Sequence, residues 1–167
     1  MDKNKHAEFL LQELETEYLP TKKCIERISE KQYDYKPHPK AMPMGYLTAL
    51  VSEIPMWISS IARLGEIDLA TYPHADIKTT DEMVYHLEAN YKSAREALQQ
   101  LSDEDLQKTF SLKVSGKTVA RGSRLEHIAS SLNHWVHHRG QLSVYMRMNE
   151  IKVPSIYGPS GDENPFT

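Results

Sequence analysis

Apolar residues recur at helical spacing along most of the chain. In the first such segment, Lys3–Ile28, they fall three or four positions apart and therefore share one face of a helix. Pro20 lies inside this segment, and a proline removes a backbone donor and clashes with the preceding turn. We therefore expect one amphipathic helix over residues 3–28 with a kink or a break at Pro20.

A second helix is predicted after a proline-rich connection. The segment Lys36–Pro43 contains three prolines, which favour an extended backbone. From Met44 onward the helical spacing returns, and Gly65 is placed to end the helix. Pro55 lies in the interior of this helix, so we expect a kink there. The residues expected on its buried face are Leu47, Leu50, Val51, Ile54, Ile58 and Ile61.

Capping boxes mark the starts of two further helices. In Thr79–Glu82 and in Ser123–Glu126 a hydroxyl residue is followed three positions later by glutamate, so each side chain can satisfy a backbone N–H of the other. The third helix is predicted to run to Leu101 and the last helix to Met148. Between them, Ser102–Leu106 is predicted to form a short capped turn.

Strand-like alternation occurs in one place, residues 110–120. Phe110, Leu112 and Val114 alternate with polar residues, and Ser115 and Gly116 follow as a turn. We therefore predict an all-α fold, an antiparallel four-helix bundle with a short hairpin-like excursion before the last helix. A length of 167 residues fits a single domain spanning residues 1–167.

The composition excludes several functional classes. With 20 Lys+Arg against 23 Asp+Glu, the net charge is −3, so the chain lacks the basic surface on which nucleic-acid binding depends. The longest stretch without a charged residue, Ala41–Ser52, is shorter than the roughly 20 residues that a membrane-spanning helix needs. No signal peptide is evident, and Cys24, the one cysteine, can form no intrachain disulfide. We expect a cytoplasmic protein that binds neither nucleic acid nor membrane.

Histidine is the residue type that stands out, because four of the eight histidines lie between His127 and His138. His134 and His138 are four positions apart and therefore project from one helix face, about 5–6 Å apart at Cβ. Imidazole nitrogens bind zinc, nickel, copper or iron, but a catalytic zinc usually has three protein ligands. The spacing leaves two interpretations open: half of a metal site, or a structural pair that binds no metal.

Three segments together resemble the DinB-like (DinB/YfiT) family. Residues 35–42, YKPHPKAM, resemble the segment before the second helix of that family, and residues 51–57, VSEIPMW, resemble the continuation of that helix. Residues 133–147, NHWVHHRGQLSVYMR, and residues 153–160, VPSIYGPS, are similar to its last helix and tail. The resemblance is weakest between residues 65 and 121.

This resemblance implies a helical bundle, usually a homodimer, in a family of metal-dependent enzymes. In many members three histidines bind a divalent metal such as zinc or nickel, and two of them correspond to His134 and His138. The third follows a Gly-x-Leu-x-x pattern in the second helix. Here that pattern is Gly45–Ala49, and the next residue is Leu50, which cannot bind a metal.

The missing third ligand allows three interpretations. In the first interpretation the site is vestigial, with His134 and His138 hydrogen-bonded to each other or to water. Alternatively, a metal binds weakly through the two imidazoles and water, with help from Glu53, one turn from Leu50. In the third interpretation, a histidine from another element, His38 or His86, replaces the missing ligand.

Two functional hypotheses of different classes follow. The first, implied by the resemblance, is a divalent-metal-dependent thiol S-transferase or hydrolase with a degenerate metal site, for which the sequence identifies no catalytic residue. The second is a non-catalytic module that binds a small ligand or forms a dimer, with an apolar pocket lined by Leu50, Trp57 and Trp135. DNA binding finds no support in a net charge of −3.

Overall fold

Four helices of 20 or more residues form most of the fold. The structure is a computed structural model and describes residues 4–166. No helix in this range is long and apolar enough to cross a membrane. The helices are α1 (Lys5–Glu26), α2 (Met44–Arg63), α3 (Thr80–Gln100), the short α4 (Asp103–Gln107) and α5 (Arg124–Met148), with a single 3₁₀ turn at Glu30–Gln32.

The predicted helices agree with these bounds to within a few residues. The predicted start at Lys3 lies outside the described residues. Pro20 does not break the first helix, since α1 continues through it to Glu26. The capping boxes are both formed: the Thr79 hydroxyl accepts from the backbone N–H of Glu82, and the Ser123 hydroxyl accepts from that of Glu126.

The long helices pack around one apolar core. Helix α2 packs against α3 and α5, and α1 packs against the same two helices, while α1 and α2 touch each other little. Helix α2 is the most buried of them, because both its apolar face and small residues such as Ser52 and Ser59 are enclosed. The largest fully buried apolar side chains are Trp135, Phe110, Leu14, Ile25, Ile28, Met44, Leu47, Ile54, Ile58, Met83 and Leu87.

A three-stranded sheet makes the all-α prediction only partly correct. The predicted hairpin is present as β2 (Thr109–Val114) and β3 (Lys117–Ser123), which pair antiparallel. A third strand, β1 (Glu66–Asp68), pairs parallel with β2. The fold is therefore mostly helical with a small sheet. Strand β1 is not predicted from the sequence because three residues are too few to show alternation, and its partner strand lies far along the chain.

Asp68 links the end of β1 to the hairpin turn through hydrogen bonds. Its carboxylate accepts the backbone N–H groups of Ser115 at 2.9 Å and Gly116 at 2.6 Å. These two residues have positive φ angles of 50° and 79°, which points their N–H groups to one side of the turn. The hydrogen bonds from Gly116, Ala70 and Ser115 hold the pKa of Asp68 below its usual value.

A buried ion pair joins α5 to α1. Arg139 is 2% exposed and Glu17 is 5% exposed, and the guanidinium Nη1 lies against Oε2 of the carboxylate. The Tyr157 hydroxyl donates to the same carboxylate at 2.9 Å and accepts from Nη2 of Arg139 at 2.7 Å. Each of the two buried charges is thereby compensated inside the protein. Through Tyr157, the irregular C-terminal segment is hydrogen-bonded to α1 and α5.

Pro55 determines how α2 attaches to its neighbours. A residue at this position normally donates its N–H to the carbonyl of Val51, and proline has no N–H. The indole Nε1 of Trp135, on α5, donates to that carbonyl instead, at 2.8 Å. One residue further, the carbonyl of Ser52 accepts from Nδ2 of Asn90, on α3, at 3.0 Å. The proline thus frees one carbonyl of α2 for α5, and the next carbonyl accepts from α3.

We expect Trp135→Phe to destabilise the protein by about 1–3 kcal/mol, because it leaves the buried Val51 carbonyl without a donor. Pro55→Ala restores the N–H that this carbonyl lacks. In the Pro55→Ala background, Trp135→Phe should therefore cost about 1 kcal/mol less than in the wild type. Urea unfolding of the four chains measures both values. Equal costs in the two backgrounds would show that the indole stabilises the protein through packing alone.

Candidate functional site

His134 and His138 lie side by side on α5, as their spacing predicts. Their Nε2 atoms are 3.1 Å apart, and the ring planes are at 85° to each other. His138 is buried, at 8% exposure, while His134 is half-buried. Burial lowers the pKa of His134, and the neighbouring His138 and His137 lower it further. The lowered pKa favours the neutral form of His134.

Gln141 determines which nitrogen of His138 carries the proton. The Nδ1 atom of His138 lies 2.8 Å from Oε1 of Gln141, an oxygen that can only accept, so Nδ1 carries the hydrogen. In a neutral ring Nε2 is then an acceptor, and His134 donates to it from its own Nε2. It follows that Nδ1 of His134 is unprotonated, and it has no hydrogen-bond partner in the described part of the chain.

The geometry of the pair is compatible with two different states. Two nitrogen ligands of a tetrahedral zinc ion, each about 2.1 Å from the metal, are about 3.4 Å apart. The observed separation is close to that value, but it is also that of a hydrogen bond between the rings, the arrangement that the vestigial interpretation describes. A metal would require His134 to shift its proton to Nδ1.

None of the substitutes considered for the third ligand completes a metal site. His86 accepts from Asn90 through Nδ1 at 3.2 Å, and His38 accepts the backbone N–H of Lys40 at 3.1 Å. Glu53 is bonded to other side chains, described below. Within residues 4–166, no three His, Cys, Asp or Glu side chains form a group that could hold a metal ion. The residues present do not fit the three-histidine centre that the resemblance implies.

A pocket opens beside His134, between α2, α5 and the sheet; we call it the sheet pocket. Its volume is about 350 Å³, which is in the range of small-molecule sites. The ring of Trp57 stacks on His134, with centroids 5.4 Å apart, and forms one wall. The lining residues are Trp57, Ile61, Ile67, Leu69, Tyr72, Phe110, Leu112, His127, Ser130, Ser131 and His134.

The polar groups of the sheet pocket differ in whether they are free to hydrogen-bond to a ligand. Ser131 donates its hydroxyl to the carbonyl of His127 at 2.9 Å, and the Tyr72 hydroxyl is hydrogen-bonded to Ser60 at 2.8 Å. Burial raises the pKa of Tyr72, as expected in apolar surroundings. Among the described residues, Nδ1 of His134 has no hydrogen-bond partner, and neither have the side chains of His127 and Ser130, which line the pocket as well. The pocket can therefore hold a largely apolar molecule that donates a hydrogen bond.

The predicted apolar pocket is only partly correct. Trp57 lines the sheet pocket, but Trp135 is buried in the core with 1% exposure and its indole bonded to α2. Leu50 lines a different pocket, together with Glu53. The three residues were grouped by their size and their position on helices, and only the packing separates them.

A cluster around Glu53 was not found by sequence reasoning. Oε1 of Glu53 accepts from the indole Nε1 of Trp57 at 3.2 Å and lies 2.8 Å from Nδ1 of His74. The Trp57 bond is between positions four apart on α2, so helical spacing could have suggested it. His74 comes from the irregular segment between β1 and α3, where no sequence pattern predicts a partner.

Comparison with known proteins agrees with the fold. The model of the DinB family matches residues 1–164. The chain belongs to the DinB family. A search of curated proteins with this DinB-family sequence gives no match.

Three solved structures resemble this DinB-family chain. A DinB-like protein from Bacillus cereus ATCC 10987 is 22% identical, with a TM-score of 0.68 over 90% of this chain and 97% of that one. A DinB-like protein from Bacillus subtilis is 18% identical, with a TM-score of 0.69 over 88% and 96%. A protein assigned to the DinB family from Exiguobacterium sibiricum is 15% identical, with a TM-score of 0.67 over 90% and 95%. At these identities the likeness concerns the fold.

We expect Leu50→His to create a zinc site, because it places a third imidazole where the family resemblance puts one. The variant should retain about one zinc per chain after gel filtration, as a three-ligand site does, and the wild type far less. Elemental analysis of the purified chains measures this. The double variant Leu50→His/His134→Ala is the control and should lose the zinc again. A Leu50→His chain with no more zinc than the wild type would show that the pair is not positioned for a shared metal.

Proposed function

We propose that this DinB-family protein binds a small, largely apolar molecule in the sheet pocket, with Nδ1 of His134 accepting its one hydrogen-bond donor. The observation that carries this proposal is an apolar pocket of about 350 Å³ with an unpartnered acceptor on its wall. Binding then depends on shape and on one hydrogen bond, and needs no metal.

The wall residues favour an uncharged ligand. No Lys, Arg, Asp or Glu is among the described residues that line the sheet pocket, so a charged group would enter without a partner. Aromatic rings from Trp57, Phe110 and Tyr72 provide flat apolar surface. A phenol or another small aromatic alcohol matches this surface and supplies the donor that His134 lacks.

A metal-dependent thiol S-transferase or hydrolase is the second candidate. The Nε2–Nε2 separation of 3.1 Å favours it, because two imidazoles at this distance can share an ion. Leu50 and the absence of a three-ligand group among residues 4–166 argue against it. Zinc that copurifies with the wild type in a stoichiometric amount, and is lost in His134→Ala, would favour this candidate over the first.

We expect 4-methylphenol to bind the wild type about fivefold more tightly than toluene, since one neutral hydrogen bond contributes about 1 kcal/mol. The preference should disappear in His134→Phe, which keeps a ring against Trp57 but removes the acceptor. Leu112→Trp should weaken both ligands by filling the pocket. Trp fluorescence and ligand-detected NMR titrations provide the affinities.

Val119→Trp is the matched control for the pocket-filling variant. Val119 lies on β3, is 55% exposed and does not line the pocket, so the same enlargement there should leave both affinities unchanged. Equal affinities for 4-methylphenol and toluene in the wild type would contradict the role of His134. Unchanged binding in Leu112→Trp would place the ligand elsewhere.

A further inference from the structure

A second pocket lies nearer the N-terminal end of α2 than the sheet pocket does; we call it the acidic pocket. It is formed by the N-terminal half of α2, the turn before it and the segment that connects β1 to α3. Its volume is about 580 Å³. The lining residues are Tyr33, Asp34, Pro43, Gly45, Tyr46, Ala49, Leu50, Glu53, His74, Ala75, Asp76, Ile77 and Met83.

The charges of this pocket are of one sign. Asp34, Glu53 and Asp76 line it, and His74 is the one lining residue, among those described, that can become positive. The Asp76 carboxylate is exposed and lies 3.1 Å from Nζ of Lys78 at the rim. No Lys or Arg is among the described lining residues, so the pocket attracts a cation.

Glu53 is the charge that lacks a permanent partner. Its side chain is only 8% exposed, and no Lys or Arg of the described chain lies within ion-pair distance of it. Oε1 accepts from Trp57 and His74, whereas Oε2 has no donor among the described residues. An imidazole is positive only when protonated, and His74 is 60% exposed, so it is not a fixed counter-ion.

The contrast with Glu17 makes this arrangement informative. Both are buried glutamates, but Glu17 lies against the guanidinium of Arg139 and accepts from Tyr157. Buried charges in proteins are normally paired in this way or bind a ligand. The charge of Glu53 affects neighbouring side chains. It raises the pKa of Tyr72, and it opposes the lowering of the His86 pKa by burial. Neither of these neighbours is a cation at neutral pH.

The walls around Glu53 suit the body of an organic cation. The rings of Tyr33 and Tyr46 line the pocket, and aromatic faces attract ammonium groups. Leu50 and Met83 add apolar surface for a hydrocarbon skeleton. Leucine at position 50, which cannot be a metal ligand, has a direct role here as a wall of the pocket.

We propose that the acidic pocket is a binding site for a small protonated amine, whose ammonium group donates to Oε2 of Glu53 while its apolar part lies against Leu50 and the tyrosine rings. This site is separate from the sheet pocket, and Trp57 lies between the two. The proposal therefore does not depend on the ligand proposed for the sheet pocket.

Cyclohexylamine and cyclohexanol form a matched pair of probes, because they share the ring and differ in the charged group. At about pH 8, we expect calorimetric titration to show that the wild type binds the amine about tenfold more tightly than the alcohol. Glu53→Gln keeps the shape and removes the charge, and it should lower the affinity for the amine about tenfold.

Glu96→Gln is the control, since it makes the same charge change at an exposed position of α3 outside the pocket, and it should leave amine binding unchanged. Leu112→Trp should also leave it unchanged, which separates this site from the sheet pocket. Circular dichroism checks that each variant is folded. Absence of saturable amine binding, equal affinities for amine and alcohol, or equal amine affinity in Glu53→Gln and wild type would each overturn the proposal.

Discussion

Pro55 leaves the carbonyl of Val51 without its usual partner inside α2, and the structure supplies a donor from a different helix. Because a buried carbonyl without a donor is costly, the indole of Trp135 must lie against this turn of α2. This contact positions α5 relative to α2. The residue beside Trp135 on α5 is His134, which then meets Trp57 two residues beyond the proline. A single missing N–H thus places the histidine pair against α2.

Helix α2 forms a wall of two pockets with different chemistry. The ring of Trp57 lines the sheet pocket, while its indole N–H is bonded to Glu53 in the acidic pocket. The segment between β1 and α3 contributes to both, through Tyr72 on one side and His74 on the other. The sheet pocket has uncharged walls and a free acceptor, and the acidic pocket has a buried carboxylate. The two are therefore suited to different ligands.

Local signals in the sequence were sufficient to predict the helices. They were insufficient to predict the strand β1 and the hydrogen bonds between helices. The capping boxes at Thr79 and Ser123 placed two helix starts, because a cap depends on residues three positions apart. The strand β1 was missed, since its existence depends on pairing with β2 more than 40 residues later. Pro55 was recognised as a local disturbance, but the partner of the freed Val51 carbonyl is Trp135, 84 residues away on α5.

The histidine pair shows the same division between local and long-range information. Helical periodicity by itself determined that His134 and His138 share a face, and the resemblance to the family indicated that Leu50 stands where many members have a third histidine. The tertiary structure decided that the two Nε2 atoms lie 3.1 Å apart, that Trp135 belongs to the core, and that Glu53 is buried beside His74 without a fixed counter-ion. The physical reason is the distance along the sequence over which each interaction acts. The geometry of one helix determines that residues four positions apart lie on the same face. Burial and charge compensation instead depend on which elements, distant in the sequence, pack together.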